Sequence, residues 1–137
     1  MSKKLQMLKE IRHMLAKPEH WLQNRLEAHL TEDGRYLIPR EDFPTNCWCL
    51  SSAIFEVSRK SLIRIDPDSP ECETLKKTKK DIFKDIGDNI PTWPLPRWND
   101  APDRTHGDIM ELLDMLISRE EMECKIRISK FQAKYRR

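Results

Sequence analysis

The stretch Asn46-Cys47-Trp48-Cys49-Leu50-Ser51-Ser52-Ala53-Ile54-Phe55-Glu56-Val57-Ser58-Arg59-Lys60 decides the fold class. Cys47, Leu50, Ala53, Ile54 and Val57 recur at three- and four-residue steps, which on a 3.6-residue helix places them on one side. With Thr45 or Asn46 as cap, the spacing predicts a helix to about Lys60, the most apolar helix of the chain.

Upstream, Leu5, Leu8, Ile11, Met14 and Leu15 repeat in the same way behind Ser2, a good N-cap. Pro18 ends that helix and suits the first turn of another, whose predicted buried stripe is Trp21, Leu22, Leu26 and Leu30. Asp33-Gly34 signals a turn, and residues 35–44 are too irregular and proline-rich for a helix, with a short extended piece at Tyr36-Leu37-Ile38.

Downstream, Ser69-Pro70-Glu71 reads as a helix start, and Leu75, Ile82, Phe83 and Ile86 form the inner face of a helix that Gly87 ends. Pro91, Trp93, Pro94, Pro96, Trp98 and Pro102 crowd the next stretch, where regular structure is not expected. Thr105 to Asp108 fits a capping pattern for a last helix with Ile109, Leu112, Leu113 and Leu116 on its inner face. That helix is expected to continue into a basic end. The fold class expected is therefore all-α: one domain over residues 1–137, a compact bundle of about five helices with a Pro/Trp-rich loop before the last, and residues 125–137 as a basic helical tail.

Composition narrows the function classes. The 137 residues carry 25 basic against 23 acidic side chains, so nucleic acid or an anionic membrane would have to be recognised by a local patch. Three glycines against nine prolines suit helices joined by stiff turns. The first residues, Met1-Ser2-Lys3-Lys4-Leu5, do not open an apolar signal region, so a cytoplasmic setting with free thiols at Cys47, Cys49, Cys72 and Cys124 is expected.

Trp98-Asn99-Asp100-Ala101-Pro102-x-Arg104-Thr105-His106, leading into Leu112-Leu113-Asp114, and the earlier Trp48-Cys49-Leu50 resemble an uncharacterised domain-of-unknown-function family of actinobacterial and phage proteins. Ala16-x-Pro18-Glu19-x-Trp21 is similar to that family's N-terminal segment. Where that family usually has Gly-Ala after the Trp-Cys-x-Leu start, this chain has Ser51-Ser52-Ala53. The resemblance implies a compact helical domain and a bacterial or phage setting, and it implies no activity.

Three constellations carry chemistry. Trp93, Trp98, Asp100, Arg104 and His106 could recognise a partner; the plainer reading is a clamp in which Trp93 and Trp98 cover the core ends while Asn99, Asp100 and Thr105 satisfy backbone groups. Cys49, near a helix N-terminus, and His106 hold the parts of a nucleophile and a base, although no catalytic-cysteine signature surrounds them. Lys125, Arg127, Lys130, Lys134, Arg136 and Arg137, interleaved with Phe131 and Tyr135, could meet phosphates and bases.

Neither the cysteine nor the histidine spacing fits a metal site, and no phosphate loop, dinucleotide fingerprint or serine elbow is present. No metal, cofactor or membrane partner is expected. The function expected is that of a small non-enzymatic accessory or inhibitory protein that binds another protein, using Lys76, Lys77 and Lys80 with the Trp93–His106 loop. A phage or mobile-element origin and a host complex as target, such as a defence system, would follow from the resemblance. Nucleic-acid binding by the tail and a thiol-dependent enzyme are the alternatives.

Overall fold

The structure is a computed structural model that describes residues 2–135. Its elements in chain order are α1 (Lys3–Met14), a single 3-10 turn (Pro18–His20), β1 (Glu27–Leu30), β2 (Tyr36–Leu37), β3 (Cys47–Trp48), α2 (Leu50–Leu62), α3 (Pro70–Asn89), α4 (Leu95–Asn99) and α5 (His106–Tyr135). The chain is mostly helical but not all-α, because a three-stranded antiparallel sheet of order β2-β1-β3 accompanies the helices.

The helix ends obey the residues that set them. The Ser2 hydroxyl accepts from the Leu5 N–H at 3.1 Å, and Ser69 does the same for Cys72 at 3.1 Å, each satisfying an orphan donor of its first turn. At the head of α5, Thr105 and Asp108 exchange bonds: the Asp108 carboxylate accepts from the Thr105 N–H at 2.9 Å and the Thr105 hydroxyl accepts from the Asp108 N–H at 3.2 Å. The core joins Leu8 and Ile11 of α1, Ile54 of α2, Ile82 and Ile86 of α3 and Leu113 of α5, with Leu95 and Trp98 of α4 closing it. Ion pairs Lys4–Asp85 and Arg12–Asp114 tie α1 to α3 and α5.

The predicted second helix is corrected. Residues 18–20 make one 3-10 turn and residues 27–30 are strand β1, pairing Ala28 with Cys47 and His29 with Leu37. Leu22, Leu26 and Leu30 are four apart, a spacing that places residues on one face of a helix and of a strand alike, so periodicity could not separate the two. Asn24, at φ 62, lies in the left-handed region that interrupts a helix, and Leu26 is 65% exposed.

The start of the most apolar helix moves for the same reason. Cys47 and Trp48 are strand, since Asn46 N–H donates to Ala28 and Cys49 N–H to Leu26, and α2 begins only at Leu50. Two smaller differences follow. α3 runs past Gly87 to Asn89, where the absent side chain makes room for Trp93: a Cβ on Gly87 would stand 3.2 Å from the indole ring. Within the proline-tryptophan stretch, Leu95–Asn99 forms a short helix begun by Pro94 and Pro96.

Candidate functional site

The Trp98–His106 motif is drawn inward by its own polar atoms. Asn99, 1% exposed, uses its whole side-chain amide: Oδ1 accepts from Trp21 Nε1 at 2.8 Å and from the Leu50 N–H at 3.1 Å, while Nδ2 donates to the Leu22 carbonyl and to Asp100 Oδ1, each at 2.9 Å. Gln23 returns the favour by donating to the carbonyls of Asn99 and Ala101 at 3.0 and 2.9 Å, and Asp100 accepts from the Asn24 N–H at 2.9 Å. Arg104 lies 4.1 Å over the Trp98 ring and donates from Nε to the Trp98 carbonyl at 3.0 Å. His106 Nε2 is 2.7 Å from the Leu15 carbonyl.

Of the five residues of this loop expected to meet a partner, Trp98 is buried, and Asp100, Arg104 and His106 are engaged within the fold. Trp93 is 55% exposed and stands apart, in the loop after α3 with its ring beside Gly87. Trp21 and Gln23, which complete the network, were missed at the level of sequence because they were assigned to a helix.

Cys49 and His106 do not form a pair. The Cys49 thiol is buried against the hydroxyls of Ser51 at 3.4 Å and Ser52 at 3.3 Å, and His106 is held by Leu15. Burial pushes the Cys47 thiol up from its ordinary range, whereas Cys124, half-buried on α5, is lowered by hydrogen bonds from Ser2 and Arg127. Among the described residues no three His, Cys, Asp or Glu side chains gather in a way that could hold a metal ion, and no helix is long and apolar enough to cross a membrane.

The α2–α3 face is different in character. Phe55 is 53% and Ile63 66% exposed, and both line an open cleft of about 510 Å³ with Arg59, Leu62 and Lys79. A second cleft of about 420 Å³ shares Leu62 and Lys79 with the first and adds Lys76, Lys77 and Lys80. Phe55 packs on Phe83 with ring centroids 5.4 Å apart, and the Lys79 ammonium sits 4.4 Å above the Phe55 ring. Lys76 has Glu73 at 3.8 Å, but Lys77, Lys79 and Lys80 have no carboxylate within 4 Å among the described residues.

Thus Lys76, Lys77 and Lys80 share a face with exposed apolar side chains, in clefts that no residue of the loop they were grouped with lines. Phe55 had a legible signal. It stands outside the Leu50, Ala53, Ile54, Val57 stripe, so a helix with that stripe inward must present the ring elsewhere.

The tail is helical and exposed. Lys125, Lys130 and Lys134 project from the distal half of α5, and Arg127 reaches back to Glu120 at 3.1 Å. Phe131 stacks on Tyr135 at 4.7 Å. Arg136 and Arg137 lie outside the described residues. The model of DUF6197, a family of unknown function, matches residues 2–119. Among the curated proteins and among the solved structures, none matches.

Proposed function

We propose, since the chain belongs to the DUF6197 family, a role drawn from this member's own geometry: it is a non-enzymatic binding protein whose α2–α3 face receives an acidic segment of another protein bearing apolar anchors. The observation that carries this reading is the pair Phe55 and Ile63, exposed in a cleft beside Lys76, Lys77, Lys79 and Lys80. Apolar anchors in a cleft supply affinity, and the surrounding cations steer an acidic partner and select against a basic one. An accessory or inhibitory role toward a host complex, in a phage or mobile-element setting, is the biological form we propose for it.

The test uses an amphipathic helical peptide with Leu and Phe on one face and Glu on the other. Binding should shift the NMR signals of Phe55, Ile63 and Lys79, weaken with salt, and fall at least tenfold in Phe55→Ala. Reversal of Lys76, Lys77 and Lys80 to Glu should slow association and flatten its salt dependence while the fold stays intact. Shifts confined to the Trp93–His106 loop, or equal affinity for a Lys-faced peptide, would overturn the reading. Turnover of a substrate by the isolated protein would do the same.

A further inference from the structure

The stretch from Cys124 to Arg137 carries Lys125, Arg127, Lys130, Lys134, Arg136 and Arg137 and no Asp or Glu. In a chain whose 25 basic and 23 acidic side chains nearly cancel, it is a local excess of positive charge. The fold presents this excess to solvent. The last buried residue of α5 is Glu120, and residues 121–135 are exposed except for the half-buried Cys124 at the root. Arg127 reaches back to Glu120 at 3.1 Å, whereas Lys125, Lys130 and Lys134 have no carboxylate within 4 Å among the described residues.

Two exposed rings stand beside these cations. Phe131 is 64% and Tyr135 63% exposed, and their centroids are 4.7 Å apart. Arg127, Lys130 and Lys134 recur at steps of three and four, so they share one side of the helix. Phe131 lies four residues after Arg127 and three before Lys134, which sets the ring pair along the edge of that row. The Lys134 ammonium is 5.5 Å from the centroid of Tyr135.

Charge decides what this face fits. The occupant must carry closely spaced negative charge along the helix together with flat apolar surface for the rings. A single-stranded nucleic acid has both, a phosphate on every nucleotide and base faces free to stack. A duplex has the phosphates but keeps its base faces within its own stack. An anionic bilayer needs a broad apolar face to bury, and here Ile126 lies nearly opposite Phe131 and Tyr135 on the helix.

We propose that the distal half of α5 binds single-stranded nucleic acid, its cations meeting successive phosphates and Phe131 and Tyr135 stacking on bases. Glu121 and Glu123 repel phosphate and end the contact at the root. Backbone charge and base faces are common to DNA and RNA, so both are accommodated. The α2–α3 cleft lies on other elements and takes no part.

With about four phosphates neutralised, log affinity should fall against log salt with a slope of about −2.8, the single-strand value of ~0.7 per phosphate. The probes are labelled oligothymidylate and oligouridylate of about 16 nucleotides, a length that covers known single-strand site sizes. Fluorescence anisotropy with the full chain should show binding that weakens about fiftyfold from roughly 50 to 200 mM salt. Lys130→Gln combined with Lys134→Gln should halve the slope. Phe131→Ala and Tyr135→Ala should each weaken binding about tenfold, within the range for losing one base stack, and leave the slope as it is. All four positions are exposed, so the circular dichroism spectrum should not change. Removing residues 129–137 should abolish binding.

Binding of one oligonucleotide alone would support the proposal and identify its source. Equal affinity in the shortened chain, affinity indifferent to both rings, or a duplex of the same length bound as tightly would overturn it. So would binding to phosphatidylserine vesicles but to neither oligonucleotide, or no binding to either at low salt. Phe55→Ala should leave oligonucleotide affinity as it is, which separates this result from the fate of the α2–α3 reading.

Discussion

Asn99 bonds to five residues, Trp21, Leu22, Gln23, Leu50 and Asp100, by one side chain and one carbonyl, and the consequences of altering it can be stated. Asn99→Ala strands Trp21 Nε1, the Leu50 N–H and the Leu22 carbonyl in a buried setting. At about 1–3 kcal/mol for each orphaned group, a loss of at least ~3 kcal/mol in denaturant unfolding is expected. Asn99→Asp keeps the acceptor but removes the donor and sets a second carboxyl beside Asp100. Burial and that neighbour would raise its folded pKa, so the variant should lose stability as pH climbs from the unfolded carboxyl value through the folded one. A variant equally stable at pH 4 and pH 7 would contradict this. Trp98→Ala should cost about 3–5 kcal/mol, the usual scale for truncating a buried aromatic. Thiol labelling reads a third residue-level feature: Cys124 should react first, with Cys47, Cys49 and Cys72 slow until unfolding. Fast labelling of Cys49 in the folded chain would revive the thiol chemistry that its buried setting disfavours.

Among the elements, α5 combines two regimes in one helix. Its first half is core, capped by the Thr105–Asp108 exchange, which holds the Asp108 carboxyl below the usual carboxylate range, the backbone bond from Thr105 first among the causes. A carboxyl lowered on folding stabilises fully above its unfolded pKa and ceases to do so as pH falls through the folded one. Thr105→Ala keeps that backbone bond and removes the smaller contribution of the hydroxyl, so it should raise the Asp108 pKa only slightly in an NMR titration. An unchanged titration would mean that the hydroxyl contributes nothing to it. Of the second half, Cys124 meets Ser2 and Arg127 reaches back to Glu120, both at its root. Removing residues 129–137 should leave the unfolding temperature within a few degrees, since exposed side chains add little to stability. A large fall would show that the distal half supports the core. The short strands show the opposite dependence: β2 and β3 have two residues each and persist through pairing to β1 and through the Asn46 side chain, which bonds both backbone groups of Leu30.

At the scale of the molecule, function and scaffold occupy different regions. The residues that most resemble a site, Trp98 to His106, fasten the segment 21–24 and the start of α2 to α4, whereas the freest chemistry is on the α2–α3 face and the distal half of α5. Four of the helices were legible as residues because each buries a stripe at three- and four-residue steps, and three of them carry their own cap: Ser2, Ser69 and Thr105 act within three positions of themselves. Lys76, Lys77 and Lys80 were likewise legible as an outer face, since Leu75 and Ile82 on the same helix must turn inward. What local spacing determined stops there. Whether Leu22, Leu26 and Leu30 belong to a helix or a strand was settled only by Cys47 and Trp48, twenty residues on, taking up the backbone of β1. Whether the W-N-D-A-P motif faces solvent or core was settled by partners 49 and 77–78 positions away, Leu50, Trp21 and Leu22, which no local pattern could supply. A buried polar group must find its bonds wherever the fold places them, so its role is a property of the tertiary structure and not of the segment that carries it.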